Sequence, residues 1–337
     1  MNLKYFFNAF VFFPFVFSDT ECPIVPSLSL DRRENKNKLR LVQYNVEWLF
    51  IDYCGSSDCP GNGCTWKNES EANTHLKSVI NVVKELKPDI INFCEIEGCD
   101  ELNMLREGLN SNLFNSYLKK GTDGATGQNV GQLTKIDPLV SLYRSEERYQ
   151  YPIEKSQCGY TGTPNTSGVS KHYITEYKIN NIDIAFIGAH LLAFPTDPTR
   201  CAQREAQAMI LQKVIEGYVE KNYEIILIGD FNDYDGEVLD ANNDKPTSLV
   251  LEILKGDGKY QLFNIAEVIV QNERYSAWWD KNSDCKSVPT EFSMIDHILV
   301  SEYLREKVIN AYIYHGYEEK CGIYNSDHYP VIVDFEF

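Results

Sequence analysis

The chain has 337 residues, 43% of them hydrophobic, enough for a sizeable core in one large domain or two small ones. Its formal net charge of −17 argues against tight, salt-resistant binding to nucleic acid, which needs Lys and Arg facing phosphates. Transient binding through a local basic face or through bound metal ions stays open, because carboxylates gathered for a cation are themselves part of an acidic balance.

In chain order, residues 1–18 place one Lys before a short apolar run closed by Ser18. That is the pattern of a secretory signal peptide cleaved after Ser18. The run falls short of the roughly 20 apolar residues of a membrane span. No second apolar span follows, so the mature chain is expected to be soluble and secreted. Residues 19–38 are polar and contain prolines, a loose lead-in before a domain expected over 39–337. Ten cysteines, an even number, fit disulfides in an exported chain. Cys54, Cys59 and Cys64 lack the paired spacing and the histidines of a zinc site, so disulfides of undetermined connectivity are expected to staple that Gly-rich loop. Asn68 and Asn165 each open a glycosylation triplet.

Leu39–Asn45 alternates apolar and polar residues and predicts a strand. Asn45 at its end is a candidate metal or phosphate contact, or an Asn that begins a turn. Glu71–Leu86 reads as an amphipathic helix, with Leu76, Val79, Ile80, Val83 and Leu86 inward and Pro88 ending it. Asp89–Glu95 predicts a second core strand that delivers Glu95 at its end, where a carboxylate suits hard ions such as Mg²⁺ or Mn²⁺. Glu97 has the same parity; Gly98 marks a strand already breaking there, which favours Glu95. A short helix over Glu101–Leu109 follows, then an exposed loop over Gly121–Asn129. Strands are expected over Gln132–Thr134, Leu139–Tyr143 and His172–Lys178.

Asn181–His190 predicts a third strong strand closed by His190, either a structural hydrogen bonder or a proton-exchanging group beside a phosphate. Arg200–Lys221 reads as a long helix. Ile225–Ile228 is the apolar run of a strand buried on both faces. Gly229 would then let the backbone turn. Asp230 and Asn232 would point the same way from an extended strand end, suited to hold a water and a phosphate oxygen; ordinary turn residues are the plainer reading. Glu291–Val300 predicts a strand with Asp296 inside it, and a carboxylate amid apolar neighbours needs a partner. His328, at the start of the terminal strand, supplies one. Asp296 would orient it and raise its basicity, leaving Asp327 as a second metal or water ligand. Polar groups at successive strand ends imply a layered α/β sandwich with its site along one sheet edge.

Tyr44-Asn45, Cys94-Glu95, Gly188-Ala-His190, Gly229-Asp-Phe-Asn232, Ile295-Asp296-His297 and Ser326-Asp-His328 stand in the order of the endonuclease/exonuclease/phosphatase superfamily motifs. The chain resembles that superfamily, the fold of pancreatic deoxyribonuclease, from Leu39 to Phe337. The resemblance implies an α/β (α+β) fold: a four-layered sandwich of two mixed β-sheets packed face to face and flanked by helices. It also implies divalent-metal-dependent phosphoester hydrolysis. Glu95, with Asn45 close by, would hold Mg²⁺ or Mn²⁺, and Asp327 would complete the acidic cluster. Asp230 would position or deprotonate the attacking water, and Asn232 would fix it or the phosphate. His328, oriented by Asp296, would contact the phosphate and move a proton, with His190 across the phosphate. Deoxyribonuclease-like and sphingomyelinase-like members have a His at that place; many apurinic-site repair members lack it. Two departures stand out. The carboxylate that orients the first His in deoxyribonuclease-like members falls near Gln128, a neutral residue. The family's Arg before that His falls at Lys171, which keeps the charge without the two-pronged contact.

The expected activity is that of a secreted nuclease cutting DNA or RNA, with nucleic acid a transient partner and no obligate protein partner evident. The second reading is a secreted sphingomyelinase-like phospholipase C acting on a phospholipid head group, which needs exposed apolar residues to enter a bilayer. Trp278 and Trp279 are such a wedge, a base-stacking pair, or one core and one rim residue. A non-catalytic binding module is disfavoured because every expected ligand survives. An inositol-phosphate phosphatase would need a basic cluster that is absent.

Overall fold

In the computed structural model, which describes residues 22, 24–51, 65–317 and 325–337, side chains alternate along the long strands and so sort into separate cores. The expected signal peptide, the Cys54, Cys59 and Cys64 loop and Cys321 lie outside the described residues. Strand β1 (Lys38–Leu49) leads to α1 (Glu69–Leu86), β2 (Ile90–Ile96), α2 (Cys99–Gly108), β3 (Asn115–Leu118), β4 (Asn129–Thr134), β5 (Tyr149–Tyr151), β6 (Asn165–Ser167), β7 (Lys171–Ile179) and β8 (Ile182–His190). Then come α3 (Pro198–Val219), β9 (Glu224–Asp230), α4 (Val250–Lys255), β10 (Leu262–Asn264), β11 (Ala277–Trp278), β12 (Phe292–Ser293), β13 (Asp296–Ser301), α5 (Glu302–Arg305), β14 (Val308–Ile313) and β15 (Val331–Glu336). One sheet has six strands in the order β14-β15-β1-β2-β4-β3, and the other has five in the order β10-β13-β9-β8-β7. Both are mixed: β1 runs parallel to β2 and antiparallel to β15, and β9 runs parallel to β8 and antiparallel to β13.

Leu39 and Leu41 of β1, Ile90 of β2, Phe186 of β8, Ile226 and Ile228 of β9 and Ile298 of β13 share one buried cluster between the sheets. The alternate residues face outward. Val42, Tyr44 and Val46 pack on Val79, Ile80 and Val83 of α1, and Ile225 and Leu227 pack on Leu211 and Ile215 of α3. The order is helices, sheet, sheet, helices, the expected four-layered sandwich. Asn68 caps α1 by accepting the Glu71 N–H at 3.0 Å, and Lys87, left-handed at φ 52°, closes it before Pro88. No helix among the described residues is long and apolar enough to cross a membrane.

Several expectations change. Leu139–Tyr143 is not a strand: the Leu139 N–H reaches the Glu176 carbonyl and Tyr143 bridges to Ile174, while the Val140 carbonyl between them takes the Thr175 hydroxyl at 2.6 Å. The lead-in is not loose at its end: Arg32 grips Asp137 with two bonds of 2.8 and 2.5 Å. The loop over 121–129 is exposed only in part, since Gln128 and Asn129 are buried and the Asn129 side chain accepts the Gly121 N–H at 2.6 Å. Disulfides join Cys22 to Cys99 and Cys158 to Cys201, Cys285 is also disulfide-bonded, and Cys94 is free and buried.

Gly229 does not make a turn. It lies inside β9, where a Cβ would stand 1.7 Å from the Ala189 carbonyl oxygen of β8. Gly229→Ala should therefore destabilise the chain by about 3 kcal/mol or more, as overpacking against backbone does. Denaturant unfolding would read this, and an unchanged midpoint would contradict the close approach.

Candidate active site

The alternation that fills the inter-sheet core also delivers the polar residues. Gln43 and Asn45 continue the inward face of Leu39 and Leu41, His190 that of Phe186, Asp230 that of Ile228, and Asp296 that of Ile298. Strand register then sets them in a row: Lys171 pairs with His190, His190 with Asp230, and Asp230 with Asp296. All of these side chains are buried at one end of the sandwich.

Asn45 ties the two sheets together. Its Nδ2 donates to Asp230 Oδ2 at 2.9 Å and to Glu95 Oε1 at 3.2 Å, while its Oδ1 accepts the Glu47 N–H at 3.0 Å. Asn45 thus bridges the two carboxylates directly. Glu95 is no simple strand end. It sits in a bulge at φ 68°, which turns its Oε2 onto the Trp48 N–H at 3.1 Å. Left-handed backbone of this kind costs a non-glycine residue roughly 1–3 kcal/mol and concentrates at functional sites. Glu47, Trp48 and Asn232 share it. Asn232 accordingly does not extend beside Asp230: its side chain donates to the Leu191 carbonyl at 3.2 Å, and its N–H donates to Asp230 Oδ1 at 2.9 Å.

Asp296 stands at the start of β13 and accepts from His328 Nδ1 at 2.6 Å, so the expected pair forms. Asp327 and His328 precede β15 rather than start it. Burial works against a charged His328, but the Asp296, Asp327 and Asp230 charges outweigh it and hold its pKa well above the usual value. Its Nε2 faces Asp230 Oδ2 at 4.0 Å. Burial, with the Asp296 charge adding to it, pushes the Asp230 carboxyl up to about 7.

His190 differs from expectation. Gln128 does not orient it; the Gln128 side-chain oxygen accepts from Lys171 Nζ at 3.2 Å. Lys171, also 3.7 Å from Asp123, donates instead to His190 Nε2 at 3.4 Å, and His190 Nδ1 has no partner. Burial first, then the Lys171 charge, lowers the His190 pKa well below the usual value. A neutral His190 beside a charged Lys171 is the result.

Sequence reasoning missed Glu47. Its Oε2 accepts the Asp327 N–H at 3.0 Å, and burial together with the Asp327 and Glu95 charges raises its pKa well above normal. Among the described residues no Lys or Arg pairs with Glu47, Glu95 or Asp327. Carboxylates without a protein cation are the kind of donor that hard divalent ions take. Asp230, Asp296 and His328 are the carboxylate–histidine group whose ligand atoms lie within 4.8 Å of one another among the described residues. Asp296 is already engaged by His328, by the Ser276 hydroxyl at 2.9 Å and by Gln43 at 3.0 Å, so that trio handles protons better than it would cage a metal.

A second omission lies beneath the pair. Tyr173 donates to Asn92 at 2.7 Å, Asn92 to Gln43 at 2.6 Å, and Gln43 to Asp296, so every donor points toward the Asp296 carboxylate. The sequence signal was present: Gln43 and Asn92 are polar residues on the inward faces of apolar strands. Gln43→Leu should lower hydrolytic turnover by roughly tenfold, the effect of loosening an outer-shell partner. The loss should vanish in a His328→Ala background; equal losses in both backgrounds would assign Gln43 to general packing.

No protein-family model matches the chain, and no curated protein matches it. Solved structures do. A 3′-5′ exonuclease from Neisseria meningitidis aligns with a TM-score of 0.56 and 14% identity over 89% of this chain and 100% of that one. An endonuclease/exonuclease/phosphatase from Bacteroides vulgatus aligns at 0.54 and 15%, over 89% and 99% of the two chains. Truncated TDP2 from Caenorhabditis elegans aligns at 0.52 and 17%, over 89% and 98%. At such identities the likeness carries the architecture alone. With two mixed sheets face to face and helices outside both, the chain has the endonuclease/exonuclease/phosphatase fold.

Proposed function

We propose that the chain is a secreted, divalent-metal-dependent phosphodiesterase that hydrolyses nucleic-acid phosphodiester bonds. The observation that carries this reading is the convergence of Asp230, Glu95, His190 and the Asp296–His328 pair around Asn45. Asp230, once ionised, accepts a proton from the attacking water. Asn232 and Asn45 hold its carboxylate in place. His328, kept protonated by Asp296, donates to oxygen as charge builds on the phosphate. Lys171, with His190 and Gln128 beside it, would be the fixed donor that stabilises that same charge. Glu95, Glu47 and Asp327 would hold the Mg²⁺ or Mn²⁺, which supplies charge neutralisation at the phosphate when bound. Disulfides from Cys22 to Cys99 and from Cys158 to Cys201 support an oxidising, extracellular setting.

The deciding measurement is nicking of supercoiled plasmid by the purified protein in Mg²⁺, with and without chelator, against an Asp230→Ala control. Chelator-sensitive nicking absent from the variant is the expected result. One observation favours phospholipid head groups as a second reading: Trp279 is 67% exposed, whereas Trp278 is held by its indole N–H on Glu291 at 3.0 Å. No nicking, with chelator-sensitive release of phosphocholine from sphingomyelin, would select it.

A further inference from the structure

The loop over 191–197 leaves β8 directly after His190 and enters α3. Arg204 of α3 is fully buried beneath it. Its guanidinium donates to the carbonyls of Leu192 at 3.0 Å, Ala193 at 3.4 Å, Phe194 at 3.0 Å and Pro195 at 2.8 Å, and to Asp233 at 3.1 Å. Asn232 holds the Leu191 carbonyl, and the Gln207 side chain accepts the Leu192 N–H at 3.2 Å. The loop is therefore gripped from below along most of its length. Yet Phe194 stands in the left-handed region at φ 69° and is 60% exposed. The backbone conformation is strained for a side chain, and the ring leaves apolar surface in water. The backbone conformation presents the Phe194 carbonyl to Arg204, but the exposed ring does not serve the fold; Gly or Asn would suit the position better. Beside the ring, an open hollow of about 580 Å³ is lined by Phe194, Thr196, Asp197, Pro198 and Arg200. Asp197 is occupied as the cap of α3, accepting the Arg200 N–H at 2.7 Å, while the Arg200 guanidinium has no ion pair among the described residues.

We propose that Phe194 is a stacking platform for a nucleobase of the strand being cut, with Arg200 taking a neighbouring phosphate. The inference rests on the nucleic-acid reading above and adds a requirement, an unpaired base next to the scissile phosphate. An apolar ring beside a cation matches the alternation of base and phosphate along a single strand, since any base offers a π-face. A bilayer is served less well, because one ring is a small wedge.

The test uses Phe194→Ala, Phe194→Trp and Phe194→Gly in the full chain. Binding of a fluorescein-labelled single-stranded oligonucleotide is read by anisotropy in chelator. Turnover in Mg²⁺ is read as the ratio of kcat/KM for the oligonucleotide to that for bis(4-nitrophenyl) phosphate. Phe194→Ala should weaken binding and lower the ratio by about 5- to 100-fold, the effect of removing one base stack, and Phe194→Trp should restore both. Phe194→Gly should melt no lower than the parent. An unchanged Kd and ratio in Phe194→Ala, a loss that Trp does not restore, or a lower melting temperature in Phe194→Gly would each overturn the platform. Binding in chelator needs no turnover, so the two readings fail separately. An oligonucleotide held through Phe194 but never cut would sink only the hydrolase reading; cutting that ignores Phe194 would sink only the platform. Sphingomyelin–phosphatidylcholine vesicles sedimented by the parent and not by Phe194→Ala would assign the ring to lipid and overturn the proposal.

Discussion

Asp230→Ala should cut metal-dependent phosphodiester hydrolysis by about 10³-fold or more, at the upper end of what one acid–base group contributes, and should leave the fold intact. The fold prediction follows from electrostatics. Burial, with the Asp296 charge adding to it, raises the Asp230 carboxyl from 3.8 to about 7. The native chain therefore binds this proton more tightly than the unfolded chain between those values, and stability falls as pH rises through that window. Alanine removes a buried carboxylate crowded by like charge, so the variant should gain on the parent as pH rises from about 4 to 7. Melting curves in chelator across that range would show it. The rate effect has the opposite sense: the ionised carboxylate is the one that accepts a proton, so parent turnover should climb with pH toward neutrality. A bound cation favours the ionised form and should move that climb to lower pH. Near-parent turnover in Asp230→Ala would remove Asp230 from the water-activating role.

His328→Ala should lower turnover by roughly 10²- to 10⁴-fold, and Asp296→Asn should lower it less while reshaping its pH dependence. Burial alone would discharge His328; Asp296 at 2.6 Å prevents this. In the Asp296→Asn variant the imidazole loses its anionic partner, so its pKa must fall. The alkaline decline in rate should then begin at lower pH than in the parent. The new amide would also face the donors of Ser276 and Gln43, which both point at the present carboxylate. A pH–rate profile identical to the parent's would show that the pair does not tune His328.

Several features were legible in the sequence because period and parity are local. The run Ile225–Ile228, the stripe of α1 and the alternation from Leu39 to Asn45 each depend on neighbours along the chain, and each became the expected element. The order of the polar islands likewise announced the fold. Their places at strand ends even set Asn45, His190 and Asp230 along one sheet edge. Those places could not say which atoms would meet. The bulge that turns Glu95 onto the Trp48 N–H, the approach of Ala189 that demands Gly229, and the capture of Gln128 by Lys171 all depend on residues distant in sequence. Glu47 beside Asp327 is of the same kind. The sequence by itself determined which side chains face the gap between the sheets. Only the tertiary structure decided their partners and charges, because hydrogen bonding and desolvation act across distances of a few ångströms that strand register and sheet packing set, not chain position.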